Sequence, residues 1–130
     1  MGLDVSHDAF RGAYSAFFRL REFVCAATGG TYDSSGYTLG QTFIEEGANW
    51  QGLVEFLSHS DCDGEIDPEM CTEVANNLTA LLPRMEEMEM SSKWLATGHI
   101  AMDGGYVAVV KLFIAGCRAA AEAGEPLVFE

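Results

Sequence analysis

Residues 59–69 have the sequence HSDCDGEIDPE, and this stretch decides how the rest of the chain is arranged. An Asp-Pro-Glu run, as at 67–69, is typical of a helix start, because Asp caps free amides and proline fits the first helical position. The Asp-Gly dipeptide at 63–64 is typical of a turn. We therefore predict a tight acidic turn, residues 59–67, between an incoming helix and an outgoing one.

Hydrophobic spacing predicts a helix on each side of this acidic turn. Upstream, apolar residues at three- and four-residue steps predict a helix from Trp50 to Ser58, with Asn49 as its N-cap. Downstream, the same spacing predicts a helix that begins after Asp67 and stops before Pro83. The stop is expected because proline lacks a backbone donor and clashes with the preceding turn.

Two more helices are predicted farther from the turn. The first runs from His7 to about Ala27, with Ser6 as its N-cap and several arginines on its polar side. The last runs from Tyr106 to Ala123 and is the most apolar of the chain, which favours a central position. A glycine directly after it is the expected C-cap.

Short segments of alternating or apolar character predict a strand at each end of the chain. These segments are Leu3–Ser6 and Leu127–Phe129, and each is the obvious partner of the other. The glycine-rich residues 29–48 predict a long loop with a hairpin around Tyr32–Thr42. We thus predict one α+β domain over residues 1–130, mostly helical, with about four helices and a small sheet joining the N- and C-terminal strands.

Composition narrows the classes of partner. Seven Lys and Arg stand against 20 Asp and Glu, which gives a net charge of −13. Such a chain repels phosphate backbones and anionic bilayers, so neither nucleic acid nor a membrane is an expected partner. No apolar run approaches the ~20 residues of a membrane span. The four cysteines show no C-x-x-C spacing and no secretory signal precedes them, which predicts free thiols in a cytoplasmic protein.

A calcium loop is one interpretation of the acidic turn. When Gly64 is aligned with the glycine of an EF-hand loop, Asp61 and Asp63 fall at its third and fifth positions, as they should. However, His59 and Met70 then occupy the first and twelfth positions, where the loop requires carboxylates. The pattern therefore lacks both end ligands.

A divalent-metal site is a second interpretation. Imidazole and carboxylates are suitable ligands for such ions, so His59, Asp61 and Asp63 are the candidate metal ligands. With Glu65 as a general base, the turn would serve a metal-dependent hydrolase. The spacing does not establish any cofactor, because no second dense cluster of ligands accompanies these residues.

Recognition of a small polar molecule is a third interpretation. Carboxylates accept hydrogen bonds from hydroxyl groups, arginines of the first helix neutralise a phosphate, and a tryptophan stacks on a base. The predicted ligand-binding residues are His59, Asp61, Asp63, Glu65, Arg11, Arg19 and Trp50. Helix capping and solubility account for the same acids without any ligand, and this alternative stays open.

Four segments resemble a family of small proteins from bacteria and their phages that has no assigned activity. They are MGLDVSH at 1–7, GAYSAF at 12–17, HSDCDGEI at 59–66 and AGCRAAAEAGEP at 115–126. The resemblance implies a bacterial or phage-infected host cytoplasm. Small phage proteins often bind host molecules, which implies a nucleotide-derived immune signal as the ligand and an anti-defence role.

The expected function is therefore a small cytoplasmic binding protein that sequesters a polar molecule, rather than an enzyme. The hydrolase that uses the acidic turn remains one alternative. An acidic module that binds a basic protein is another, and the sequence leaves open whether the chain forms a homodimer.

Overall fold

Helices account for the long hydrophobic segments in the computed structural model, which describes residues 2–40 and 49–130. The helices are α1 (Tyr14–Ala27), α2 (Gln51–Ser58), α3 (Pro68–Glu89), α4 (Gly98–Met102) and α5 (Tyr106–Ala123), with a 3-10 turn at Ser92–Trp94. The strands are β1 (Gly2–Val5), β2 (Phe10–Ala13), β3 (Thr31–Asp33), β4 (Gly36–Thr38), β5 (Glu65–Ile66) and β6 (Leu127–Val128). The pairs β1–β2, β3–β4 and β5–β6 are each antiparallel. The predicted α+β, mostly helical fold is confirmed.

One aromatic cluster joins the elements of the core. Phe17 of α1 is fully buried, and its ring centroid lies 5.0 Å from that of Phe10 and 5.8 Å from that of Phe56. The rings of Phe113 and Phe129 both lie 6.1 Å from it. Such tilted and edge-to-face pairs add to the free energy of burial. Phe17 thereby connects β2, α2, α5 and the C-terminal end of the chain.

The start of α2 is fixed against α3. A Cβ atom at Gly52 would overlap the backbone of Glu73, so the two helices touch where glycine leaves room. The buried Asn77 of α3 accepts a hydrogen bond from the Leu53 amide at 2.9 Å and donates to the Asn49 carbonyl at 2.8 Å. The helix predicted upstream of the acidic turn is confirmed, but it begins at Gln51 with Trp50 at its N-cap position, so the predicted Asn49 N-cap is wrong.

The first helix begins at Tyr14, and the predicted start at His7 is wrong. The chain before it turns back as β2 through the four-residue loop 6–9, in which His7 and Asp8 have φ angles of 57° and 58°. The Ala9 amide donates to the Ser6 carbonyl at 3.2 Å and closes this loop. Ser6 therefore belongs to the hairpin and is not a helix cap. Apolar residues a few positions apart suit a strand pair as well as a helix, so spacing alone does not decide between them.

The two ends of the chain meet, as predicted. An isolated antiparallel bridge joins Val5 to Phe129. The Ser6 amide donates to the Val128 carbonyl at 2.9 Å, and the Ser6 hydroxyl accepts from the Val128 amide at 2.8 Å. The ladder of β6 itself is formed with β5, directly after the acidic turn. The acidic turn, the C-terminus and the N-terminal hairpin are thus linked.

The outgoing helix α3 continues through Pro83 to Glu89, so its predicted stop before Pro83 is wrong. Proline in a helix interior costs about 3 kcal/mol. Met85 and Met88 beyond it are both buried and extend the apolar face of α3 onto the core. Burial of one such side chain contributes roughly 1.5–3 kcal/mol, so the two together offset the proline.

The remaining predicted segments agree with the structure where it describes them. The final helix is confirmed as α5, and Gly124 ends it with a left-handed φ of 67°. The hairpin predicted around Tyr32–Thr42 is confirmed by β3 and β4, while residues 41–48 of the predicted loop lie outside the described residues. None of the helices in the described ranges combines the length and hydropathy that crossing a bilayer requires.

Candidate functional site

A buried arginine anchors the acidic turn to α1. Arg21 is 5% exposed, its Nε donates to the Phe56 carbonyl at 3.0 Å, and its Nη2 donates to the His59 carbonyl. Its guanidinium also lies 4.6 Å from the ring centroid of Phe17. Free carbonyls at the end of a helix attract a cation, and a buried charge needs such partners. Arg21 therefore caps the C-terminal end of α2, at the point where the acidic turn begins.

The imidazole of His59 holds the backbone of the acidic turn. Its Nδ1 lies 2.8 Å from the Ser60 carbonyl oxygen, and its Nε2 lies 3.1 Å from that of Glu65. The ring centroid is 4.3 Å from that of Phe129, and a Cβ at Gly64 would lie 3.4 Å from the ring. A neutral imidazole donates through one ring nitrogen only, so it bonds one of these two carbonyls, and both nitrogens face backbone oxygens. The predicted ligand His59 is thus oriented toward the backbone.

The carboxylates of the acidic turn bond within it or point outward. Asp63 accepts a hydrogen bond from the Ser60 hydroxyl at 2.9 Å, and the helix cap Asp67 accepts from the Met70 amide at 2.8 Å. Asp61 is half-buried, and Glu65 is exposed. Across residues 2–40 and 49–130, no group of three or more His, Cys, Asp or Glu side chains is placed to hold one metal ion.

The predicted site residues Arg11 and Arg19 do not share a pocket with the acidic turn. Arg11 lies on β2 and Arg19 on α1, and both line grooves that have His99 of α4 as a common wall. We call these two grooves, which share His99 in their linings, the His99 groove. The groove lined by Arg11 holds more carboxylates than cations and is the acidic arm, and the groove lined by Arg19 is the basic arm.

The acidic arm is the larger part of the His99 groove, with a volume of about 490 Å³. Its charged lining consists of Asp4, Asp8, Asp103, Arg11 and His99. Asp4 and Arg11 face each other across the β1–β2 ladder. Arg11 is exposed and forms no ion pair or hydrogen bond with any described residue. Its guanidinium is therefore available to a ligand.

The basic arm is smaller, about 220 Å³, and is organised by a buried tyrosine. Arg19 Nη2 donates to the Tyr106 hydroxyl at 3.2 Å, and this hydrogen bond raises the pKa of the Arg19 guanidinium above its usual value. The ring of Tyr106 stacks on that of Phe23 at 4.6 Å and meets the edge of Trp94 at 5.8 Å. Arg19 is therefore always positively charged, and its hydrogen bond to the buried Tyr106 fixes the position of its guanidinium group.

The short helix α4 lies beside the N-terminal hairpin at Gly12. A Cβ at Gly12 would lie 3.4 Å from the Cβ and Cγ atoms of His99, so the imidazole lies against β2. Ile100, the next residue of α4, is buried and fixes the short helix to the core. His99 therefore stands between the two arms with an exposed ring.

Trp50, predicted to stack on a ligand, lies at the start of α2 and is half-buried against the core. Its indole Nε1 is buried and has no hydrogen-bond partner among the described residues. Sequence patterns missed Arg21, Tyr106 and His99. Arg21 stands two positions from Arg19 in the same helix, and no motif distinguishes the buried arginine from the exposed one.

No family model, no curated protein and no solved structure matches this chain. The family resemblance stays a prediction. The function is accordingly inferred from the residues of the His99 groove.

Proposed function

We propose that the protein binds a small polar molecule that carries an anionic group, and that the His99 groove is the binding site. The observation that carries this proposal is the location of scarce positive charge. The chain has seven Lys and Arg against 20 acids, yet Arg11 and Arg19 line two grooves that share His99 in their linings. Two arginines on either side of an imidazole, in a protein of net charge −13, favour an anionic group at that position.

The chemistry of the arginines supports a phosphate or carboxylate. Guanidinium groups donate paired hydrogen bonds to planar or tetrahedral oxyanions, and such charge-assisted bonds are stronger than neutral ones. Arg11 has no partner among the described residues, and Arg19 is held in place by Tyr106. Both groups are therefore prepared to bind an anion with little reorganisation.

Within this class we propose a nucleotide-derived signal, captured rather than converted. Such a ligand has a phosphate for the cations and hydroxyls for the carboxylates of the same groove. Pockets for small molecules usually occupy roughly 300–1,000 Å³, and the acidic arm, at about 490 Å³, falls in that range. Sequestration by a phage, implied by the family resemblance, would require only tight binding.

Calorimetric titration with adenosine 5′-monophosphate and with inorganic phosphate tests the proposal. We expect both to bind. Arg19→Gln should weaken the binding of both by about 1.5–3 kcal/mol, the usual contribution of a charged hydrogen bond, and Arg11→Ala should weaken the binding of adenosine 5′-monophosphate alone. Arg118→Ala is the matched control, because Arg118 bonds Asn76 and Thr79 of α3 and lines neither arm. Absence of binding, or an equal loss in the control, would contradict the proposal.

A further inference from the structure

We infer, on the basis of the proposed binding function, that the ligand is a phosphorylated sugar bound in one direction. Its phosphate lies in the basic arm beside Arg19, and its hydroxyl groups lie in the acidic arm between Arg11 and the carboxylates. His99 stands where the two parts of the ligand join. Three features of the groove support this assignment: the charge of each arm, the mixed lining of the acidic arm, and the sizes of the arms.

The charge of the two arms differs in sign. Among the residues that the structure describes, the lining of the basic arm includes Arg19 and His99, with the hydroxyls of Ser15, Thr97 and Tyr106, and no carboxylate. The acidic arm has three carboxylates against one arginine and the histidine. A phosphate is repelled by the acidic arm and attracted by the basic arm. The anionic end of the ligand is therefore assigned to Arg19.

A surface ion pair does not prevent Arg19 from binding this phosphate. Arg19 Nη1 lies 3.6 Å from Glu22 Oε1, and the arginine side chain in that pair is 49% exposed. Exposed pairs of this kind contribute little free energy and are readily exchanged. A phosphate that bridges Arg19 and His99 has two cationic or donor groups to bond instead of one carboxylate.

The mixed lining of the acidic arm favours hydroxyl groups over an ammonium group. Asp4, Asp8 and Asp103 accept hydrogen bonds, whereas Arg11 only donates them. An ammonium group is attracted by the acids but repelled by the arginine. A hydroxyl both donates and accepts, so a polyol satisfies the carboxylates and Arg11 together. Neighbouring hydroxyls of a sugar ring therefore match this lining better than an amine.

The sizes of the arms agree with this orientation. The basic arm, at about 220 Å³, suits a compact phosphate, and the acidic arm, at about 490 Å³, suits the bulkier sugar. Because His99 lines both arms, a ligand that occupies both must pass its imidazole. His99 can then donate to the phosphate or to the ester oxygen that joins phosphate to sugar.

The test compares three probes by calorimetric titration at one ionic strength: inorganic phosphate, ribose 5-phosphate and phosphoethanolamine. We expect ribose 5-phosphate to bind about tenfold or more tightly than phosphate, since hydrogen bonds to carboxylates contribute that much. We expect phosphoethanolamine to bind no more tightly than phosphate. Equal binding of the sugar phosphate and phosphate, or tightest binding of phosphoethanolamine, would overturn the inference.

Substitutions in the acidic arm test whether this arm causes the tighter binding of ribose 5-phosphate compared with phosphate. The double variant Asp8→Asn, Asp103→Asn should lose the advantage of ribose 5-phosphate over phosphate, while phosphate itself binds no less tightly because two repelling charges are removed. Asn tolerates the left-handed φ of 58° at position 8, so the hairpin is retained. Asp61→Asn, the same change in the acidic turn, should keep the advantage. Loss of the advantage in Asp61→Asn instead would move the sugar to the acidic turn and overturn the inference.

The outcomes separate this inference from the proposed function. If phosphate and adenosine 5′-monophosphate bind through Arg19 but ribose 5-phosphate gains nothing over phosphate, the proposed function stands and the orientation is wrong. If none of the phosphate compounds binds, both are wrong. Unchanged melting temperatures of the Asn variants would show that each change acts on the ligand and not on the fold.

Discussion

Arg21 donates a hydrogen bond to the backbone carbonyl of His59, and through this bond α1 holds the acidic turn in place. The same guanidinium donates to the Phe56 carbonyl, so one buried cation serves two carbonyls at the end of α2. The ring nitrogens of His59 in turn lie 2.8 Å and 3.1 Å from the backbone carbonyl oxygens of Ser60 and Glu65, and a neutral ring donates to one of the two. These contacts give the acidic turn a structural role in the fold. We therefore propose the His99 groove, and not the acidic turn, as the ligand-binding site.

Replacing Arg21 is expected to destabilise the fold strongly. Arg21→Ala leaves the carbonyls of Phe56 and His59 without their donor and removes packing against Phe17, which should lower the free energy of unfolding by about 2–4 kcal/mol. Denaturant unfolding followed by circular dichroism measures this change. Arg118→Ala, an exposed arginine, should change the free energy by less than about 0.5 kcal/mol. Similar effects of the two substitutions would contradict the buried role of Arg21.

Replacing Pro83 is expected to stabilise the protein. Pro83 is exposed within α3 and leaves the Thr79 carbonyl without its helical donor. Pro83→Ala restores that donor and should raise the free energy of unfolding by about 1–3 kcal/mol. Thermal unfolding would show an increase in melting temperature. An unchanged or lower melting temperature would mean that the helix is interrupted before Met85.

Gly116 is expected to resist substitution although it lies in a helix. Glycine to alanine in a helix interior usually adds about 1 kcal/mol of stability. Here a Cβ would lie 2.7 Å from the Cα of Ala9, because the N-terminal hairpin is pressed against α5 at this point. Gly116→Ala should therefore lower the melting temperature. A gain in stability would show that the hairpin does not contact α5.

Only one of the four thiols is expected to react in the native protein. Cys62 is exposed, whereas Cys25, Cys71 and Cys117 are buried. Burial raises the pKa of the Cys25 thiol, and a hydrogen bond with Cys71 together with burial raises the pKa of Cys117. Since the thiolate is the reactive form, both changes slow modification further.

Titration with a chromogenic aromatic disulfide measures the number of reactive thiols. We expect one thiol per chain to react rapidly in buffer and four in denaturant. Cys62→Ala should abolish the rapid phase while leaving three thiols in denaturant. Rapid reaction of two or more thiols in the native protein would contradict the burial of the other cysteines.

The sequence predicted correctly those elements that depend on residues close together in the chain. The Asp67 cap with its following proline and the apolar face of α5 are formed by residues near one another in sequence, and both predictions are confirmed. The helix start at His7 failed because the turn that replaces it has no glycine. His and Asp adopt the left-handed backbone conformation less readily than glycine does, so the residues at 7–8 did not indicate a hairpin.

The candidate site depends on contacts that no local pattern contains. Gly12 and His99 are distant in sequence, and they meet because Ile100 anchors α4 beside the hairpin. Whether Arg19 or Arg21 becomes the buried arginine depends on where α2 ends, which is a tertiary relationship. The sequence shows how many charged residues the chain has, but tertiary packing determines which of them line the same groove.

The most direct test of the His99 groove is an amide chemical-shift map recorded during titration with adenosine 5′-monophosphate. We predict that the amides of Gly12, Gly98 and His99 shift in proportion to saturation, whereas those of Asp61 and Gly64 do not. Shifts confined to Asp61 and Gly64, or no shifts at any of the five amides, would contradict the assignment of ligand binding to the His99 groove.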